Sequence, residues 1–237
     1  MISGKSFAER CAWVIDPRYP EMPPFSYARA TNGDWVFVNG DVLYEFRRRL
    51  PMLSMKRFNV IVHNSDRPFG GAELQLLTPY CKHIYAINTT VRSSNLTTIP
   101  LGFVDRQLEF LKSLPSPPGD RPIEIYSNFT LGTNLITRRA CMLAFDKDPR
   151  VVVAENRTVP EYYADLQRSK FVLCPEGTGI DTHRVYEALL CGATPVVLRN
   201  SLSHLYERLP VCIVDSWSDP VTVPTSGRTD LSVARFL

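Results

Sequence analysis

The residues best equipped for chemistry lie close together. A Pro-Glu-Gly-Thr-Gly loop at 175–179 is followed by Asp181, His183, Arg184 and Glu187. Gly177 and Gly179 lack side chains, so the loop backbone can approach a ligand and turn amides toward it. Glu176 and Thr178 add polar groups to the same loop. Asp181 stands where a helix N-cap is expected, and a helix start carries the positive dipole end that favours phosphate. Arg184 falls in the first turn, where its guanidinium can grip a phosphate with two hydrogen bonds. Glu187 lies three residues on, on the same side of the helix, and its carboxylate suits the paired hydroxyls of a ribose. His183 is placed to touch a phosphate or a sugar. The plainer alternative is an ordinary strand–loop–helix joint, with Asp181 as a cap and Glu187 paired to Arg184. The whole pattern is more specific than a lone Gly-x-Gly.

A second cluster is His63-Asn64-Ser65-Asp66-Arg67, directly after the apolar run FNVIVH. A strand end is where ligands of parallel sheets bind. A carboxylate or imidazole there is a candidate general base for an attacking hydroxyl, Asp66 first and His63 second. The alternative is an Asx turn with Asp66 paired to Arg67. Asp146-Lys147-Asp148 has the Asp-x-Asp form of a divalent-metal and diphosphate site. It closes a helix-like run and precedes Pro149, so it reads as a solvated helix end. Arg47-Arg48-Arg49 also reads as a helix terminus. Tyr162, Tyr163, Tyr206 and Trp217 read as core packing before sugar stacking.

These residues need a frame. Strand-like runs at 35–39, 58–63, 83–87, 123–127, 151–154, 171–174, 194–198 and 211–214 alternate with helical patterns at 41–50, 72–77, 134–145, 160–168, 181–190 and 202–208. Residues 99–103 look like an edge or terminal strand. The alternation predicts an α/β fold of parallel sheets with helices on both faces. Residues 114–122, rich in proline, form the best candidate linker. The expected organisation is an N-terminal acceptor-side Rossmann-like domain at 1–113 and a nucleotide-sugar-binding one at 123–237, facing a cleft. Past Trp217 the sequence reads as a polar tail of weak structure.

The 237 residues are 44% hydrophobic and 22% charged, with a formal charge of +3. That charge is too mild to argue for nucleic acid, and suits a few basic groups in one cleft. No window approaches the ~20 apolar residues of a membrane span. The six cysteines have no paired spacing and read as buried free thiols of a reducing compartment. Sequons at Asn88, Asn95, Asn128 and Asn156 point toward a secretory lumen only if an anchor or signal lies outside this stretch. The expected location is therefore cytoplasmic.

The set Pro-Glu-Gly-x-Gly-x-Asp-x-His-Arg-x-x-Glu-Ala-Leu, followed by Gly-Ala-x-Pro-Val-Val, resembles the C-terminal half of the exostosin-like glycosyltransferases with two Rossmann-type domains, the GT-B architecture. The likeness is closest over 123–217 and takes in Asn128-Phe129-Thr130, Thr133-Asn134 and Arg138. It implies that Glu187 holds the donor ribose, and that Arg184 and Arg138 neutralise the diphosphate leaving group in place of a metal. Asn128 and Thr133 would face the donor. It also leads one to expect a C-terminal helix returning to the N-terminal domain, which the tail does not show. The expected activity is transfer of a sugar from a UDP-linked donor to a glycan hydroxyl, inverting, with no metal and no cofactor beyond the donor. The alternatives are an epimerase or phosphorylase on the same frame, or a non-catalytic carbohydrate-binding protein with a degenerate nucleotide site.

Overall fold

A computed structural model of the chain describes residues 1–53, 57–224 and 230–237. The chain divides into two units, Met1–Asp105 with Ser232–Leu237, and Arg106–Leu231. The division falls ahead of the expected linker at 114–122, which belongs to the second unit. No helix among the described residues is long and apolar enough to cross a membrane.

Unit 1 runs α1 (Gly4–Ala8), β1 (Trp13–Ile15), β2 (Trp35–Asn39), α2 (Leu43–Arg49), β3 (Phe58–His63), α3 (Gly71–Leu77), β4 (Cys81–Ala86) and β5 (Leu96–Thr98). The strands pair in parallel in the order β1-β2-β3-β4-β5. Successive side chains on a strand point to opposite faces. Val36, Val38, Val60, Val62, Ile84 and Ala86 therefore share one face, where they meet Leu43, Phe46 and Leu50 of the α2 region and Leu77 of α3. A sheet whose strands follow in sequence always steps the same way, so right-handed crossovers put α2 and α3 on one face. Phe37 points to the other face, beside the rings of Tyr19 and His63, and Phe7 of α1 lies against His63.

The strand expected at 99–103 does not form; β5 ends at Thr98 and only Phe103 makes an isolated bridge, to Ser3. Pro100 has no amide hydrogen to give a ladder, and Gly102 takes a left-handed φ of 70°. The tail also differs from expectation. Among its described residues, a 3-10 turn at Val233–Arg235 lies in the segment that belongs to unit 1, and Val233 and Phe236 are buried. Part of the expected weak tail, 225–229, lies outside the described residues.

Unit 2 runs α4 (Leu108–Lys112), β6 (Ile123–Ser127), α5 (Leu135–Phe145), β7 (Val151–Val153), α6 (Val159–Gln167), β8 (Ser169–Leu173), α7 (His183–Leu190), β9 (Thr194–Leu198), α8 (Ser203–Tyr206) and β10 (Cys212–Val214). The parallel order is β10-β9-β8-β6-β7. The chain steps from β6 outward to β7, then returns across β6 to β8, which makes the β6/β8 neighbours a topological switch point. On one face Ile125, Phe171, Leu173 and Val196 pack with Cys141 and Phe145 of α5 and with Trp217. On the other, Tyr126 meets α6 through Tyr162 and Asp165, and α7 packs on α6 and β9. Thr158 and Glu161 close a capping box at the start of α6. Asp146 is the C-cap of α5, and Asp148 pairs with Arg150 at 2.7 Å, so the Asp-x-Asp is a helix end.

Candidate functional site

The chain leaving β6 turns to one face to become α5, and the chain leaving β8 turns to the other to become α7. Between two such diverging loops, at the strand C-termini, a parallel sheet can open a crevice for a ligand. The sequence ties its rims together. Asn134 caps α5 by accepting from the Thr137 amide at 3.2 Å, a contact worth about 1 kcal/mol. Its Nδ2 donates to the Gly177 carbonyl at 3.0 Å. Arg138, one turn into α5, donates from Nε to the Glu176 carbonyl at 3.0 Å and from Nη1 to the Thr130 carbonyl at 2.7 Å. Asn200, after β9, donates to Glu176 Oε1 at 2.8 Å. Three strand-end loops thus converge on Glu176–Gly177.

A side chain in place of the loop glycine would crowd Arg138. A Cβ on Gly177 would lie 3.0 Å from Arg138 Nη2 and 3.9 Å from Thr133 Oγ1. The Gly177 amide donates to the Gly179 carbonyl at 3.1 Å, so it closes the loop rather than facing outward. Thr178 is exposed at the loop tip and Gly179 is buried.

The electrostatics are one-sided. Arg138 is buried, and neither it nor Arg184 forms an ion pair among the described residues. Burial lowers the Arg138 pKa, and the nearby Arg184 charge lowers it further. Arg184 Nε is buried without a hydrogen-bond partner, as is Thr182 Oγ1 beside it. A buried donor left without a partner costs ~1–3 kcal/mol, and repulsion between the two like charges adds to that. An anion would relieve both terms. Among the described residues no three His, Cys, Asp or Glu side chains gather in a group that could hold a metal ion.

Glu187 is buried and lies in the second turn of α7. Its Oε2 accepts from the Tyr162 hydroxyl of α6 at 2.8 Å. Burial first, and then the Glu187 charge, raise the Tyr162 pKa far above the ordinary phenol range. Arg184 and Glu187 do not pair. His183 opens α7 and is half-buried.

Asp181 is not the cap. Thr182 takes that position in extended geometry, without a side-chain cap bond. The Asp181 carboxylate is buried instead, accepting from the Tyr186 hydroxyl at 2.5 Å and the Tyr206 hydroxyl at 2.8 Å. It anchors the loop from beneath. Asn128 turns back to donate to the Tyr126 hydroxyl at 3.2 Å, which in turn donates to Asp165. Cys141 and Cys174 are free and buried, and burial pushes the Cys174 thiol up to about 12.

In unit 1, the strand ends carry a polar network that joins His63 and Asn64 to Asp16, Tyr19, Asn39 and Asp105, four residues the sequence did not single out. The Asp16 carboxylate, fully buried, accepts from Asn39 at 3.1 Å and from Asn64 Nδ2 at 2.8 Å. Asn64 Nδ2 also donates to the Tyr19 hydroxyl at 2.8 Å, which donates to Asp105 at 2.6 Å. Asn64 Oδ1 lies 2.9 Å from His63 Nδ1, and the Pro100 carbonyl 3.2 Å from Nε2. Both ring nitrogens of the buried His63 are therefore committed. Asp66 is exposed, and Arg67 pairs with Asp41 at 3.4 Å rather than with Asp66. Asn64 sits at a left-handed φ of 62°, which lets its side chain reach both Asp16 and His63.

A methyl group at Gly4 would overlap Asn64 Oδ1. The Gly4→Ala variant is therefore expected to disrupt this network and lose about 2 kcal/mol of stability. Urea denaturation checks it; an unchanged midpoint would mean that Asn64 is not held as described.

Fold and site define the class: two five-stranded parallel sheets flanked by helices, as in Rossmann-like domains, one of them with a buried Arg138 and the nearby Arg184 on the elements that follow its switch-point strands. Residues 131–214, from the loop after β6 through β10, match the family model of the RXYLT1 C-terminal domain. This stretch, well under half of the chain, is similar to that domain, and the match supports a glycosyltransferase of exostosin- or xylosyltransferase-like type. Comparison with curated proteins gives no match.

Proposed function

We propose that the protein transfers a sugar from a nucleotide-sugar donor, UDP-linked, to a hydroxyl of a glycan. The observation that carries this reading is the pair Arg138 and Arg184, brought together at a strand switch point without a carboxylate partner, with a buried Arg184 donor unused. Such a pair suits a diphosphate. Leaving-group charge grows as the bond from the anomeric carbon to the phosphate oxygen breaks, and fixed guanidinium groups stabilise it there. Two arginines in this place support a metal-independent transfer. Glu187 is our candidate for the ribose, with Tyr162 holding its carboxylate from one side. Thr133, His183 and the side chain and amide of Thr178, with the Gly179 amide, would complete the donor cradle, while Glu176 and Gly177 hold its loop in shape and Asp181 supports it from below. Asn128, turned toward Tyr126, would have to swing out to reach a donor.

For the base we favour Asp66 over His63. Asp66 is exposed, whereas His63 has both ring nitrogens committed. In an inverting transfer the acceptor oxygen attacks the anomeric carbon, the base takes its proton, and UDP departs with the bonding pair. Isothermal titration with UDP, with and without EDTA, tests the reading. Binding insensitive to EDTA is expected, and Glu187→Ala should abolish it. No UDP binding, or binding that EDTA removes, would overturn it.

A further inference from the structure

We propose that a cavity in unit 1 is a saccharide subsite; its assignment to the acceptor glycan rests on the transferase reading above. The cavity measures about 380 Å³, within the range of small-molecule sites. It lies between the β1–β2 connection and α2. Pro17, Pro20 and Pro24 stiffen the connection, because each fixes its φ, so the wall is set before a ligand arrives. Phe25 is held in place by edge contacts with Tyr27, Phe46 and Phe58, at centroid distances of 4.7, 5.5 and 5.8 Å. It presents a fixed apolar ring to the cavity, with Tyr27 beside it.

The polar groups set the ligand class. Glu45 and Arg49 stand one turn apart on α2, are exposed, line the cavity and form no ion pair among the described residues. The Arg49 guanidinium lies over the Tyr27 ring, 5.9 Å from its centroid. The mouth thus offers one acceptor and one donor beside aromatic surface. A sugar has the matching make-up, with apolar C–H faces and hydroxyls that both give and take hydrogen bonds. A polyphosphate would meet the Glu45 carboxylate beside Arg49, the one cation lining the cavity among the described residues, and Arg18 is already paired with Asp16. A purely apolar ligand would leave Glu45 and Arg49 desolvated and unpaired.

The cavity is also joined to the loop of the proposed base. Asp16 and Tyr19, which line it, are the groups that hold Asn64, two residues before Asp66.

Saturation-transfer NMR on the whole chain, with methyl glycosides of neutral, N-acetylated and uronic sugars, tests the proposal. At least one class is expected to bind. The double variant Glu45→Ala/Arg49→Ala should weaken it about tenfold while leaving UDP affinity and melting temperature unchanged. Both side chains are exposed, so the fold should survive their loss. If no glycoside binds, or the variant binds as well as the parent, the proposal is overturned. Loss of UDP binding in the parent, with saccharide binding intact, would instead overturn the transferase reading alone.

Discussion

Arg184→Ala is expected to weaken UDP binding about a hundredfold while leaving the unliganded protein as stable as the parent, or more so. Charged hydrogen bonds to phosphate contribute ~1.5–3 kcal/mol each, enough for a loss of that size. The stability half of the prediction rests on what Arg184 does without ligand. Its Nε is buried and unpaired, and its charge faces Arg138. Removing it ends an unmade hydrogen bond and a repulsion, and sacrifices no ion pair. Arg184→Lys should keep part of the affinity, since an ammonium retains charge but not the planar fork. Calorimetry for binding and thermal melting for stability check the two halves. A clear fall in melting temperature with UDP affinity intact would make Arg184 a structural residue and end its assignment to the donor.

Asp181→Ala should behave in the opposite way. It removes the one carboxylate that satisfies the Tyr186 and Tyr206 hydroxyls, both on fully buried side chains. Two buried phenols that lose this acceptor cost about 3 kcal/mol together. A loss of that size in urea denaturation is expected, with Asp181→Asn losing less because its carbonyl can still accept from one of them. Weakened UDP binding should follow only through the loosened loop. A stable Asp181→Ala protein would show that the two tyrosines find other partners and that the loop does not depend on this anchor.

The contrast between these residues marks what was legible in the sequence. The strands at 35–39, 58–63 and 123–127 form with those bounds because runs of branched and aromatic residues fit a buried parallel sheet. The placing of Arg184 and Glu187 along one helix was legible too, because helical spacing is a local rule. Asp181 departs from its local signal for the reverse reason. Its composition and place suit a cap, but its partner Tyr206 lies 25 residues away, and no local pattern announces that. Asn134 and Asn200 escaped notice as loop ties for the same cause, since each reaches across the sheet to Glu176–Gly177. The strand order of unit 2, which creates the switch point, depends on which strands pair and is invisible to periodicity. In unit 1, Asp16, Tyr19 and Asn64 are scattered along the chain and meet only because three strands end side by side. The spacing at 99–103 suggested a strand, but Pro100 and Gly102 overrode it.

Residues 232–237 belong to unit 1 although the whole of unit 2 precedes them. On a ribosome this fixes an order. Every residue of unit 2 is synthesised before Val233 and Phe236, so unit 1 cannot complete its buried surface until the whole of unit 2 has been made. Unit 1 is thus started before unit 2 and completed after it. A chain shortened before Ser232 should leave unit 1 without the buried Val233 and Phe236, open to proteases at the place they cover.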